Sequence, residues 1–264
     1  MTRGKRRRIL PRMDLQARAD QSYYQAWRAW GRCGQGEVRE SNGLLAVSSG
    51  TPLAFLNIVF VTRPLAAPED QLGAAMRFFD SRGEPFIVRI REGLDRASEA
   101  ACDSLGMPYS DTVPGMVSTN LVSPAAPDGL DVRVVRSLSE LDQFQSVIAD
   151  GYGLPRGDVD AFVRPALLED AEVESYVGYF DRVPVATSTL AFGGGVAGVH
   201  NVATVPAARK RGYGEALTWF AMARGVARGC DMAALQASEM GQPIYLRMGF
   251  RVVSRYRTFH RPGV

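Results

Sequence analysis

The chain has 264 residues, enough for two ordinary domains, with 46% hydrophobic and 22% charged residues, the balance of a globular protein. A formal net charge of +3 gives no nucleic-acid signature, so no nucleic-acid partner is expected. No apolar run approaches the roughly 18 residues of a membrane span, and the basic start lacks the apolar stretch of a secretory signal, so no membrane partner and a cytoplasmic location are expected.

Residues 1–12, with the run Lys5-Arg6-Arg7-Arg8, read as a solvated, disordered tail. The three cysteines, Cys33, Cys102 and Cys230, form no CxxC, and with His200 and His260 they offer no metal-ligand spacing, so neither a disulfide framework nor a metal is expected.

Taken in chain order, the first half (13–123) predicts a strand over 54–61, a helix over 70–79, a strand over 85–90 and a helix over 94–105. A stretch of proline, alanine and glycine at 123–129 marks a domain boundary. Beyond it, strand 130–135 leads to a helix over 138–148, opened by Ser137 or Ser139 as N-cap, and then to a helix over 159–168. Three strands follow at 174–180, 183–191 and 196–205, the last two joined by a turn at Gly193-Gly194-Gly195. A helix over 215–228, a strand at 233–237, a short helix at 244–247 and a strand at 252–259 close the order. The chain is therefore expected to be α/β (α+β).

The most informative stretch is Val202-Ala203-Thr204-Val205-Pro206-Ala207-Ala208-Arg209-Lys210-Arg211-Gly212-Tyr213-Gly214. A strand runs into a basic glycine turn that feeds a helix. Unpaired N–H groups and the positive end of the helix dipole make such a helix start a ready pyrophosphate site. Gly212 and Gly214 let the backbone approach the phosphates, and Arg209, Lys210 and Arg211 add positive charge. No Gly-Lys-Ser/Thr follows and the third glycine of a dinucleotide fingerprint is missing.

This stretch closely resembles motif A of the GNAT acetyltransferases, Val-Pro-x-x-Gln/Arg-x-x-Gly-x-Gly/Ala, which Val205, Pro206, Arg209, Gly212 and Gly214 match. Their motif B often ends Tyr-x-x-x-Gly-Phe, which stands here as Tyr245 to Phe250. The resemblance covers about 130–259. It implies acetyl-CoA as co-substrate and an N-acyltransferase that acts on an amine acceptor by direct attack in a ternary complex. It also implies pantetheine pairing along Val202, Ala203, Thr204 and Val205, and pyrophosphate binding by Arg209, Lys210, Arg211, Gly212, Tyr213 and Gly214. Tyr245 would protonate the leaving thiolate; its other reading is a half-buried helix tyrosine.

Many superfamily members carry a glutamate eleven positions ahead of the motif's Gln/Arg, where this chain has Gly198. Strand alternation puts His200 on the same face, and an imidazole of pKa near ~6.5 can accept an amine proton. The competing reading is a packed strand histidine. Glu174, Glu172 and Glu239 are weaker base candidates, a water relay is another, and Asn201 is expected on the opposite face. Ser238 stands where relatives often have an asparagine.

In the first half, Cys102 to Met107 lines up with Tyr245 to Phe250, while two prolines and no Gly-x-Gly follow strand 54–61. The expected architecture is thus two GNAT-like domains, each a mixed, mostly antiparallel sheet flanked by helices: a degenerate copy at 13–123 and an acetyltransferase domain at 130–264. The degenerate copy would serve as a structural partner or as a wall of the acceptor site. The alternatives are a protein or peptide N-acetyltransferase and a non-catalytic acyl-CoA sensor; either a monomer or a homodimer fits.

Overall fold

The computed structural model describes residues 14–261, and the basic tail expected over 1–12 lies outside them. The described chain opens with a 19-residue helix, α1 (Leu15–Cys33), which the sequence reading did not anticipate. Asp14 caps it by accepting from the Gln16 N–H, and Tyr23, Trp27 and Trp30 recur at helical spacing on one buried face. A hairpin follows, β1 (Val38–Ser41) and β2 (Leu44–Val47), turning at Asn42-Gly43 with both residues at positive φ.

The strand expected over 54–61 is interrupted. Ala54–Leu56 forms a 3-10 turn and only Ile58–Val61 is strand, β3. Between them Asn57 is fully buried and bonds the carbonyls of Thr51 and Pro85 and the Ser49 N–H, which fixes a loop where a ladder would run. Then come α2 (Pro68–Asp80), β4 (Ile87–Arg91) and α3 (Arg96–Ser104), close to expectation, and β5 (Tyr109–Ser118), which was not anticipated.

After the irregular segment 119–129, β6 (Leu130–Val134) leads into α4 (Leu138–Tyr152). The start of α4 is a capping box between Ser137 and Glu140, and Gly153 ends it at φ 67°. The single helix expected over 159–168 is two pieces, α5 (Arg156–Phe162) and a 3-10 turn at Pro165–Leu168, because Pro165 cannot continue the hydrogen bonding and constrains the residue before it. Next come β7 (Val173–Phe180), β8 (Val183–Gly193) and β9 (Val196–Thr204), joined by tight turns at Asp181-Arg182 and Gly194-Gly195. The chain finishes with α6 (Tyr213–Ala227), β10 (Met232–Gln236), α7 (Gln242–Arg247) and β11 (Arg251–Phe259).

The eleven strands of the described residues make one mostly antiparallel sheet in the order β1-β2-β3-β4-β11-β5-β10-β9-β8-β7-β6. The two halves interleave at its centre. β5 follows α3 but pairs with β10, and β11 follows α7 but pairs with β4, so each half lends its last strand to the other. The halves also match locally. At the end of α3, Met107 N–H bonds Cys102 O, and at the end of α7, Phe250 N–H bonds Tyr245 O, both at 2.9 Å and both across a positive-φ glycine.

Alternate residues of β2 and β3 face opposite layers. Leu45, Val47, Ile58 and Phe60 join a core with the aromatic face of α1 and with residues of α4 and α5, whereas Leu44, Ala46, Val59 and Val61 pack with α2 and α3. In the second half the core beneath α6 and α7 includes Leu217, Met222, Tyr245 and Val199.

Candidate functional site

The parallel pairing of β9 with β10 runs only through Met232–Val196, Ala233–Ala197 and Ala234–Gly198, although both strands continue. Beyond Gly198 they part. The equivalent pair in the first half, β3 and β4, stays in register along all four residues of β3 and leaves no such opening.

A bulge shapes the free part of β9. Its register against β8 shifts between Thr187 and Thr189, and Asn201 sits at φ 49°. The extra residue reverses the side-chain alternation. Ala197 and Val199 face the α6 side, and so do Val202 and Thr204 beyond the bulge, against Gly214. Asn201 was expected on the face opposite His200; the bulge instead brings both to the same cavity. Two carbonyls here are held by side chains: Val202 O accepts from the Tyr152 hydroxyl (3.2 Å), and Thr204 O from Arg209 Nε (3.3 Å).

Where the strands part, an open groove of about 730 Å³ lies between the end of α4 (Gly151, Tyr152), Pro206, Arg209 and the segment 238–240. It meets a second cavity, of about 450 Å³, at Tyr152 and Ser238. That cavity draws on both halves of the chain: Tyr23, Trp27 and Trp30 of α1, Phe55 and Leu56, and Arg89 of β4 on one side, with Val199 to Val202, Gln236 and Tyr245 on the other.

At the mouth of the groove the turn into α6 is built as a helix start. Gly212 is the N-cap at φ 78°, a conformation that L side chains resist, and Lys210 also has positive φ. The helix ladder begins with Ala216 N–H to Gly212 O (2.9 Å), leaving the N–H groups ahead of it at the positive end of the dipole. Lys210 and Arg211 are exposed. Two residues of this motif do other work than expected. Arg209 is spent on carbonyls, donating to Gly151 O (2.8 Å) as well as Thr204 O. At Gly214 a Cβ would lie 3.2 Å from Thr204 Oγ1, so this glycine serves the close approach of α6 to β9.

Tyr245 stands on the first full turn of α7, 9% exposed, with its side chain at the cavity. Burial raises its pKa to about 12, so the phenol keeps its proton at neutral pH and can donate it. His200 does not fit the expected base. Its Nε2 is buried with no partner, the ring packs edge-on against Trp30 (centroids 4.9 Å apart), and burial lowers its pKa to about 3. The imidazole pKa assumed from sequence is that of a fully hydrated ring, whereas this one is only partly exposed and its Nε2 is buried.

Two of the three carboxylate candidates point elsewhere. Burial opposes ionisation of Glu174, but hydrogen bonds from Arg224 and Tyr176 and the charges of Arg224 and Arg228 outweigh it and hold the group at about 2. Glu172 bonds Gln25 and Arg32 away from the cavity, and Glu239 borders the groove. The place of the superfamily's glutamate is closed by α1: a Cβ on Gly198 would lie 2.8 Å from Ser22 Oγ and 3.0 Å from Ala191 O. Among the described residues no cluster of His, Cys, Asp and Glu has a metal-holding arrangement, and no helix is long and apolar enough to cross a membrane.

Of the residues that the sequence reading singled out (Val202 to Val205, Arg209 to Gly214, His200 and Tyr245), Val202, Arg209, His200 and Tyr245 line the groove or the cavity, whereas the Tyr213 side chain is buried against Phe180. The sequence reading missed Trp27, Trp30, Arg89 and Gln236. The helical spacing of Tyr23, Trp27 and Trp30 was a visible signal for a helix; nothing in it told that the aromatic face would meet β9, some 170 residues on.

The chain resembles a GCN5-related N-acetyltransferase from Kribbella flavida at a TM-score of 0.73 and 20% identity, covering 96% of this chain and 97% of that one. It also resembles a GCN5-related N-acetyltransferase-like protein from Streptococcus suis 89/1591 (TM-score 0.56, 13% identity, 93% and 98% covered). A tandem GNAT protein from the clavulanic acid biosynthesis pathway is similar as well (TM-score 0.56, 12% identity, 92% and 95% covered). No curated protein matches. The sequence model of the acetyltransferase (GNAT) family matches residues 140–250, the segment that carries α4 through α7 and the parted strands. Residues 140–250 therefore match the acetyltransferase (GNAT) family, and the chain has the fold of the GCN5-related N-acetyltransferases along nearly its whole length.

Proposed function

We propose that the protein is an N-acyltransferase that moves an acetyl group from acetyl-CoA to a small amine by direct attack in a ternary complex. The observation that carries this reading is the parting of β9 and β10 beyond Gly198, with a groove that reaches Arg209 at the start of the basic turn and meets the cavity at Tyr245. Exposed Lys210 and Arg211 and the free N–H groups at the start of α6 suit a pyrophosphate. The thioester would lie where groove and cavity meet, with the amine in the cavity.

The amine nitrogen attacks the thioester carbonyl carbon, the C–N bond forms, the C–S bond breaks, and the thiolate takes the Tyr245 proton. The proton lost by nitrogen passes to water and restores the phenol. Among the described residues no aspartate or glutamate lines the cavity, and His200 is too weak a base, so the amine must arrive uncharged. The walls that α1 and the loop at Phe55 set beside the cavity favour a small acceptor over a protein chain. Thiol release from acetyl-CoA with a panel of small amines tests the reading. Amine-dependent release supports it; tight acetyl-CoA binding with no release for any amine would make the protein a binder only.

A further inference from the structure

The cavity beside the groove concentrates unpartnered polar atoms. Trp27 Nε1, Trp30 Nε1, Arg89 Nε, His200 Nε2 and Gln236 Oε1 are all buried without a hydrogen-bond partner, and all five residues line this one space. Buried polar groups are otherwise almost always paired, because each unpaired one forfeits its bonds to water. Five in one cavity mark a place where a ligand supplies the missing partners.

Their chemistry narrows what that ligand is. Among the described residues, Arg89 is the only charged one of the lining. It donates to the Tyr23 hydroxyl, and among the described residues it has no carboxylate partner. Its neighbour on the same face of β4, Arg91, is by contrast paired with Asp20 at 2.9 Å. A half-buried guanidinium with no carboxylate partner suits the carboxylate of a ligand. The remaining walls are largely aromatic: Tyr23, Trp27, Trp30, Phe55 and Phe162. With one positive charge and no acidic residue in the lining, the cavity repels acceptors that carry further positive charge.

We propose, resting on the acyltransferase reading above, that the acceptor is a small amine with an aromatic body and a carboxylate, the carboxylate seated on Arg89 and the ring among Trp27, Trp30 and Phe162. Trp27 Nε1, Trp30 Nε1 and Gln236 Oε1 complete the polar contacts, and the amine points toward Tyr245.

Two of the three tryptophans line the cavity, so its occupancy is readable by intrinsic fluorescence without any catalysis. The full chain is titrated with 3-phenylpropanoate, its neutral counterpart 3-phenylpropan-1-ol and its cationic counterpart 3-phenylpropylammonium. The acid should bind at least about tenfold more tightly than the alcohol, as expected for a charge-assisted hydrogen-bonded pair. Arg89→Gln should erase that preference while acetyl-CoA binding is kept. Equal binding of acid and alcohol, tighter binding of the cation, or no quenching by any of the three overturns the proposal. The comparison on the unaltered protein decides the matter even if the variant does not fold. Because the readout is binding, absent acetyl transfer would sink the acyltransferase reading alone, and absent acid preference would sink this proposal alone.

Discussion

His200 lets the site be tested through the pH dependence of stability. Burial depresses its folded pKa from an ordinary 6.5 to about 3. Above the ordinary value the ring is neutral in both states and contributes no pH dependence. As pH falls below it, the unfolded chain binds a proton that the folded chain refuses, so stability is lost progressively down to the folded pKa. Between about pH 7.5 and about pH 5 the loss from this one ring is about 2 kcal/mol, at roughly 1.4 kcal/mol per unit of pH below its ordinary value. His200→Gln removes this contribution and leaves the carboxylates that also titrate on acidification. Urea unfolding of both proteins at the two pH values isolates the term: the wild type should lose about 2 kcal/mol more than the variant. With only two histidines in the chain, the ring-proton NMR spectrum gives an independent check, since the His200 signal should not titrate above about pH 5. Equal losses for the two proteins, or a His200 signal that titrates near its ordinary value, would refute the claim that packing against Trp30 keeps this ring neutral.

Tyr245→Phe should lower turnover roughly 10²–10⁴-fold, the usual worth of a general acid, with acetyl-CoA affinity nearly unchanged. A loss under about threefold would return Tyr245 to a packing role. Gly198→Glu, which restores the superfamily's carboxylate, should cost about 1–3 kcal/mol and bring no gain in rate, because Ser22 and the Ala191 carbonyl occupy the space. A stable and faster variant would contradict that packing argument.

The second half was legible because its signals are local. Val205-Pro206, the basic turn and Gly212 specify a strand end and a helix start within ten residues, and the structure has both there. The first half was less so. In β5 the side chains show no alternation and Pro114-Gly115 interrupts the run, because the strand owes its place to β10 and β11 and not to its own pattern. The exchange of last strands between halves is a long-range choice with no local mark. The bulge at Asn201 had a faint one, an asparagine in a strand, a residue type enriched at positive φ. Missing it put Asn201 on the wrong face. His200 was identified, yet its neutrality depends on α1, an element whose aromatic stripe was readable but whose docking partner was not.

The central claim is that the groove opened by the parting of β9 and β10 holds acetyl-CoA with its phosphates at the turn before α6. Lys210 and Arg211 are exposed, so Lys210→Glu with Arg211→Glu should leave the fold intact while reversing the charge at that turn. Calorimetric titration of the wild type with acetyl-CoA should give one-to-one binding, weakened at least about tenfold in the double variant. No binding by the wild type, or the same affinity in both proteins, would contradict the account.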